Sequence, residues 1–289
     1  MGSCGEVTRV AADDKPLSRL TLEATSVADD VSYVALADLS TVLHGRDVDH
    51  RIIGGHMVTV LAARWELGAD LYRETGDADL GIPPVVARNR SVFADLGELG
   101  YSGGNGHRFT RPLDDVPVRL TGDDDVRREA TIDVLVPAYR SRARENQRFG
   151  DHLTTVEVLG LATALRRPPV TLHLDVGRLN GDRLDFDLVV PDEVAALVLK
   201  ALATRVRFKA TDVVDVWRCL EIAFAASVKP NEFSEGEPAR AADVVRRLFA
   251  DREGRGMKDL ATEQRLAAPA ADRRYTRIRA LVRRILGDP

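Results

Sequence analysis

The chain has 289 residues, of which 44% are hydrophobic and 30% charged, so it can bury a sizeable core, in two domains or in one large domain with an appendage. Its two cysteines exclude a disulfide framework or a cysteine-rich zinc module, and its 5% aromatic content argues against broad base-stacking surfaces. No apolar run approaches the ~20 residues that span a bilayer, and the N-terminus lacks an apolar signal segment. We therefore expect a cytoplasmic protein with no membrane partner.

The net charge of −4 hides an asymmetry along the chain. Residues 240–289 contain 13 Lys/Arg and 7 Asp/Glu, so this tail carries +6 and residues 1–239 carry −10. In the last predicted helix, Arg273, Arg277 and Arg284 can share an outward face. Such a face could contact an RNA backbone. A set of arginine-rich helices that are simply exposed to solvent would give the tail the same excess of positive charge. Both interpretations stay open.

Helices and strands are mixed in the first part of the chain. The first ~28 residues predict a loose arm or an edge strand. Helices are predicted at 29–44, 57–67 and 85–99. Strands are predicted at 51–53, 75–82, 107–109, 116–120 and 130–136. The segment 153–190 is predicted to be mainly β structure, with Asn180-Gly181 as the turn of a hairpin between strands 170–176 and 183–190.

The pattern changes to helical spacing after Pro191. Helices are predicted at 192–205, 212–226, 239–251 and 273–286. We therefore predict an α+β chain with a boundary near residue 190. Residues 1–190 would form a domain with a mixed β-sheet and flanking helices, and residues 191–289 would form a C-terminal helical domain.

A Gly-Gly turn and three aspartates form the most informative pattern. Gly54 and Gly55 end a short strand, and such a turn lets backbone N–H groups approach an anion at a helix N-terminus. Asp77 and Asp79 are two residues apart on a predicted strand, so they would face the same side and could hold Mg²⁺. Asp133 lies in an apolar strand, where a buried carboxylate needs a cation or hydrogen bonds. We expect it to complete the acidic site.

This order of strand, Gly-Gly, helix, Asp-x-Asp and later strand aspartate resembles the nucleotidyltransferase superfamily. The Arg-x-Thr-x-Asp-x-Asp string at 73–79 and the strand 132–137 resemble its AbiEii branch, which includes the toxins of type IV toxin–antitoxin systems. The resemblance runs from about residue 52 to residue 223. Many members of the superfamily have serine after the first glycine, where this chain has Gly55.

The resemblance implies a nucleotidyltransferase fold and an activity. The expected reaction moves a nucleoside monophosphate from an NTP to an acceptor, releases pyrophosphate and uses Mg²⁺ or Mn²⁺. It implies that the metal ligands and part of the catalytic set are Asp77, Asp79 and Asp133. It implies that the nucleotide is bound in part by Gly54, Gly55, Arg73 and Thr75.

The resemblance also implies partners. The expected acceptor is a tRNA 3′ end, with the chain acting as a toxin that has a cognate antitoxin protein. Two alternatives stay open: transfer to a protein hydroxyl, and a non-catalytic module that binds a nucleotide or a partner on the same fold.

A second cluster begins at Lys200, the only polar side chain in the apolar run 194–203. Its ammonium could simply reach water along an apolar stem. The residues that follow include Arg205, Arg207, Lys209, Asp212 and Asp215. The AbiEii branch has a comparable pattern, which implies a catalytic Lys200 facing the phosphates with help from Arg207. It also implies that an aspartate acts near the attacking group. Spacing leaves open whether this is Asp212, our catalytic assignment, or Asp215, otherwise a nucleotide-binding residue.

Three further features favour structural roles. Asp185 and Asp187 form a second Asp-x-Asp pair, but no Gly-Gly turn precedes it and a hairpin normally turns one polar face outward. His56 follows Gly55 and is interpreted as a cap or core histidine. The run Asp123–Asp125 is interpreted as a solvated turn.

Overall fold

The computed structural model describes residues 18–44, 46, 48–68, 71–103, 106–116 and 128–288. Most of the predicted strand at 116–120 and the acidic run at 123–125 lie outside these residues. The described strands form two sheets. The smaller contains β1 (Arg19–Glu23), β9 (Val170–Gly177) and β10 (Arg183–Val190). The larger contains β2 (Arg51–Ile53), β3 (Ala78–Gly81), β4 (Ser102–Gly103), β5 (Arg108–Pro112), β6 (Glu129–Pro137), β7 (Gln147–Phe149) and β8 (Leu153–Val158).

Strand β6 lies at the centre of the larger sheet. It pairs in parallel with β3 and, through its last residues, with β8, while its first half pairs antiparallel with β5. Ile132, Val134 and Val136 are buried on one face, as expected for β-branched side chains in a covered sheet. Asp133 points to the opposite face from these three residues. It lies in register with Asp79 of β3.

Among the described residues, five helices accompany the strands: α1 (Val27–Leu43), α2 (Gly54–Arg64), α3 (Pro84–Ala87), α4 (Arg90–Glu98) and α5 (Leu161–Arg166). The hydroxyl of Ser26 accepts the Asp29 N–H and caps the start of α1. Helix α1 packs on β6 and β10, so it joins the two sheets. Its apolar face, which includes Leu36 and Leu39, is buried between them.

Several predicted boundaries are wrong for local reasons. Helix α2 begins at Gly54, directly after β2, and ends at Arg64 rather than at residue 67. The predicted helix 85–99 is divided because the Asn89 side chain accepts the Ser91 N–H and starts a new helix. Helix α5 was not predicted, because its six residues are too few to show a helical period.

After β10 the described chain contains only helices and a single 3-10 turn, Pro230–Phe233. The helices are α6 (Glu193–Val206), α7 (Ala210–Ala225), α8 (Gly236–Leu248), α9 (Arg255–Glu263) and α10 (Ala268–Leu286). The predicted α+β class, with a mixed sheet, flanking helices and C-terminal helices, is confirmed. The division into two domains at residue 190 stays a prediction.

The helices after β10 pack closely on the earlier part of the chain. Helix α6 contacts α2 and α5 as well as α7 and α8. The buried carboxylate of Glu237, on α8, accepts hydrogen bonds from the Gly160 N–H (3.0 Å) and from the N–H (3.2 Å) and hydroxyl (2.6 Å) of Thr163. It therefore satisfies donors at the start of α5 that no side chain of that helix caps. In the described residues, no helix combines the length and apolar character needed to cross a membrane.

Candidate functional site

The Gly-Gly turn between β2 and α2 is required by its neighbours. Gly54 has φ +74°, and a Cβ there would overlap the Asp79 carboxylate. A Cβ at Gly55 would overlap the side chain of Thr75. Position 55 therefore has no room for a side chain, because Thr75 fills that space. No side chain caps α2, so its first N–H groups are available to an anion beside the carboxylates.

The three predicted aspartates lie on neighbouring strands. Asp79 and Asp133 are paired in the parallel register of β3 and β6, and Asp77 precedes β3 by one residue. Burial and the nearby charge of Asp77 raise the pKa of Asp79 to about 7. Burial and the acidic neighbour therefore both disfavour the ionised form of Asp79.

Arg108, on β5, partly neutralises this charge. It lies opposite Asp133 in the β5–β6 register, and its Nε and Nη2 donate to Oδ1 (2.8 Å) and Oδ2 (2.7 Å) of that carboxylate. Nη2 also lies 3.4 Å from Asp77 Oδ2. Sequence analysis missed Arg108, because its role depends on the register of two strands whose connection is long.

The chemistry of these carboxylates fits a divalent cation, since Mg²⁺ and Mn²⁺ bind through carboxylate oxygens. The guanidinium of Arg108 already lies between Asp77 and Asp133 as a positive group. In the described part of the chain, no three His, Cys, Asp or Glu side chains form a group that could hold a metal ion as they stand.

A buried ionic cluster lies beside the acidic site. Asp215 of α7 accepts hydrogen bonds from Lys200 Nζ (2.7 Å), Arg218 Nη1 (3.0 Å), and Nε (3.3 Å) and Nη2 (3.2 Å) of Arg73. Burial alone would raise the pKa of Asp215, but the charges of these three cations outweigh it and hold the pKa well below its usual range. Arg218, fully buried, also donates to the Thr59 hydroxyl (3.2 Å).

Asp215 and Asp212, whose roles the sequence leaves open, have different partners in the structure. Lys200 does not extend into water: its side chain is 7% exposed and its ammonium is fixed by Asp215. Asp215 therefore positions Lys200. Asp212 is also buried, but it faces the exposed Arg207, whose Nε lies 3.5 Å from Asp212 Oδ2. Arg218, missed from the sequence, follows Asp215 by three residues, a spacing typical of helical ion pairs.

A cavity of about 230 Å³ connects the two groups of charges. Its polar wall includes Gly54, Asp79, His107, Asp133, Lys200 and Arg207. Its apolar wall includes Leu135, Val156, Val158, Leu159, Leu199, Ala203 and Val206. The apolar wall comes from β6, β8 and α6, so the cavity lies between the sheet and the C-terminal helices.

Four buried polar atoms in or around the cluster make no hydrogen bond within the described residues: Thr75 Oγ1, His56 Nε2, Asp212 Oδ2 and Arg218 Nε. His56 packs against Tyr33, with ring centroids 5.5 Å apart, and its burial lowers its pKa to about 4. It is therefore a neutral histidine inside the fold. Thr75 contacts the Gly-Gly turn, so its hydroxyl is available beside the predicted nucleotide site.

The remaining candidates lie elsewhere. Asp185 and Asp187 are exposed on β10, where His173 bridges them with its two ring nitrogens 3.0 Å from each. On α10, Arg277 binds Glu221 (2.7 Å) and covers the Phe224 ring. Its guanidinium is therefore not free on the outward face that was predicted for it together with Arg273 and Arg284. Exposed arginines on that helix that form no ion pair with described residues include Arg273, Arg283 and Arg284.

No protein-family model matches this sequence, and no curated protein matches it. Among experimental structures, the chain is similar to an antigenic nucleotidyltransferase-like protein from Paracoccidioides brasiliensis. The two are 14% identical, with a TM-score of 0.40, over 84% of this chain and 96% of the other. A likeness this low does not assign a function to this chain.

Proposed function

We propose that this protein is a metal-dependent nucleotidyltransferase that moves a nucleoside monophosphate from an NTP to an acceptor. One observation carries the proposal. A carboxylate pair (Asp79 and Asp133), a buried ammonium (Lys200) and an uncapped helix N-terminus (Gly54) line a single cavity. This combination suits a triphosphate, which needs both a divalent cation and direct positive partners.

The proposed reaction is a substitution at the α-phosphorus. An acceptor hydroxyl oxygen bonds to that phosphorus, the bond to the oxygen bridging the β-phosphate breaks, and pyrophosphate leaves. The hydroxyl proton is released to water. Asp77, Asp79 and Asp133 would hold Mg²⁺ or Mn²⁺, which supplies charge neutralisation and lowers the pKa of the hydroxyl.

The other cavity residues have roles that follow from their contacts. Lys200, fixed by Asp215, would stabilise charge that develops on the leaving phosphates. Arg73 is held by Asp215 close to the Gly-Gly turn, where a phosphate could approach it. Asp212 is buried behind Arg207, which is exposed and lines the cavity, and Asp212 is our candidate for an aspartate near the acceptor. The apolar wall would contact the nucleoside.

The acceptor that the charges favour is RNA. A second cavity, of about 390 Å³, lies across the last turn of α6 from the first and is lined by Arg205, Arg247 and Arg255. Within the described residues, Arg205 and Arg247 form no ion pair, so both can bind phosphates. This supports a polyanionic acceptor such as a tRNA 3′ end.

The activity is tested by incubating the protein with each α-labelled NTP, Mg²⁺ or Mn²⁺, and total tRNA. Label in an RNase-sensitive product supports the RNA acceptor. Label in a protease-sensitive product supports transfer to a protein hydroxyl. Absence of any labelled product, with nucleotide still bound, supports the non-catalytic module.

The acceptor surface is tested by two matched double charge reversals. Arg205→Glu with Arg247→Glu should weaken RNA binding and reduce the slope of log affinity against log salt by about 2, or about 1 per lost phosphate contact. Arg283→Glu with Arg284→Glu, on α10, should change both quantities less. A larger change of both quantities in the α10 variant would show that the RNA-binding surface lies on the basic tail.

The toxin role and a cognate antitoxin follow only from the family resemblance. Expression of the active protein should arrest growth, and expression of the Asp77→Asn/Asp79→Asn variant should not. Equal growth with both proteins would remove the toxin role while leaving the enzymatic proposal intact.

A further inference from the structure

Arg108 makes the contacts that a metal ion would need to make. Its two donor nitrogens occupy both oxygens of Asp133, at 2.8 and 2.7 Å, and Nη2 reaches toward Asp77 Oδ2 at 3.4 Å. A bidentate guanidinium–carboxylate pair of this kind is among the stronger hydrogen-bonded contacts in proteins. One fixed cation therefore already links two of the three expected metal ligands.

The guanidinium and a divalent cation compete for the same oxygens. Mg²⁺ requires its oxygen ligands at ~2.0–2.1 Å, and a second positive group on those oxygens would repel it. The two sides of the ion pair differ in freedom: the Arg108 side chain is 49% exposed and that of Asp133 is 9% exposed. Arg108 can therefore rotate into solvent while Asp133 stays in the sheet.

We propose that Arg108 is a displaceable counter-ion, which positions Asp133 and Asp77 in the metal-free protein and lowers their affinity for divalent cations until a cation displaces it. The inference rests on the proposed function only in assigning these carboxylates to a metal. It adds that metal loading requires movement of one side chain on β5.

The test measures the affinity of Mn²⁺ alone, by electron paramagnetic resonance, without nucleotide or acceptor. Arg108→Gln removes the competing charge, and Mn²⁺ affinity should rise about 10-fold to 100-fold, the range of one charged hydrogen-bonded contact. Arg183→Gln is the matched control. Arg183 is 46% exposed and donates to Asp175 (2.7 Å) on the smaller sheet, so its loss should leave Mn²⁺ affinity unchanged.

A second measurement uses the unaltered protein and does not depend on the variant folding. The Nε–H of Arg108, assigned by its loss in Arg108→Lys, should exchange slowly with water in the metal-free protein because it donates to Asp133. Saturation with Mg²⁺ should make this exchange fast. Slow exchange at saturation would overturn the inference.

The outcomes separate this inference from the proposed function. Equal Mn²⁺ affinity of the unaltered protein and Arg108→Gln would overturn the counter-ion role, even if the enzyme transfers nucleotides. A rise in affinity without any nucleotide transfer would keep the counter-ion role and remove the enzymatic proposal. Absence of Mn²⁺ binding by both proteins would overturn both.

Discussion

The Asp-x-Asp pairs at 77/79, beside β3, and at 185/187, on β10, differ in their surroundings. Asp77 and Asp79 adjoin a third carboxylate and a helix N-terminus, and burial raises the pKa of Asp79 to about 7. Asp185 and Asp187 lie exposed on β10 with His173 between them. The same spacing therefore has two meanings. An acidic pair becomes a candidate site where the fold concentrates negative charge, and it is an ordinary surface feature where nearby cations and water balance it.

The largest expected difference is in activity. Asp77→Asn with Asp79→Asn should reduce nucleotide transfer by more than about 10³-fold, because it removes the proposed ligands of the metal proposed to act on the reacting phosphate. Thermal unfolding should be unchanged or slightly higher, because mutual repulsion of carboxylates is lost. Asp185→Asn with Asp187→Asn should keep activity near that of the unaltered protein. The opposite result would place the site on β10.

Local periodicity placed Asp79 and Asp133 on strands, and the resemblance of the motif order to a known superfamily implied that these carboxylates meet. The partners of those residues were not predictable in the same way. Arg108 reaches Asp133 through the register of β5 and β6, and Lys200 reaches Asp215 through the packing of α6 on α7. Such pairings depend on tertiary contacts that no local pattern specifies.

A second comparison concerns the stability contributed by single aspartates. Asp215→Asn leaves Lys200, Arg73 and Arg218 without their carboxylate, and the free energy of unfolding should fall by about 3–5 kcal/mol. Urea denaturation measures the loss, which Asp187→Asn on the exposed hairpin should not reproduce. A loss of unfolding free energy no larger than that of Asp187→Asn would mean that water stabilises the three positive charges as well as Asp215 does.

Two glycines with positive φ allow the candidate site and the exposed hairpin to be compared by the stability cost of adding a Cβ. Gly54→Ala should lower the free energy of unfolding by about 2–4 kcal/mol, because its Cβ overlaps Asp79 in addition to the backbone strain. Gly181→Ala, in the hairpin turn with open space around it, should cost about 1 kcal/mol. Chemical denaturation of both variants checks the order. Equal losses of unfolding free energy would show that the Asp79 side chain moves aside easily to make room for the Cβ.

The last comparison concerns the pH dependence that two histidines contribute to stability. Burial lowers the pKa of His56 to about 4, so below pH 6.5 the unfolded chain binds a proton that the fold does not. This histidine should therefore remove up to about 1.4 kcal/mol of stability per pH unit between pH 6.5 and 4. The difference between the unaltered protein and His56→Leu, measured by denaturation across this range, isolates that slope.

His173 should behave in the opposite sense. Hydrogen bonds to Asp187 and Asp185 raise its pKa, so its stabilising contribution is present below pH 6.5 and is lost as pH rises through the folded pKa. His173→Asn should remove a contribution that grows toward acid pH. The same sign of pH dependence for both histidines would contradict the environments described for them.

The central claim is that the cavity beside Asp79, Asp133 and Lys200 serves transfer of the α-phosphate of an NTP. The most direct measurement compares two labels of one nucleotide in the presence of Mg²⁺ and total RNA. If the claim is correct, label from the α position enters the acceptor, and label from the γ position leaves as pyrophosphate. Incorporation of the γ label, or release of inorganic phosphate without pyrophosphate, would contradict it.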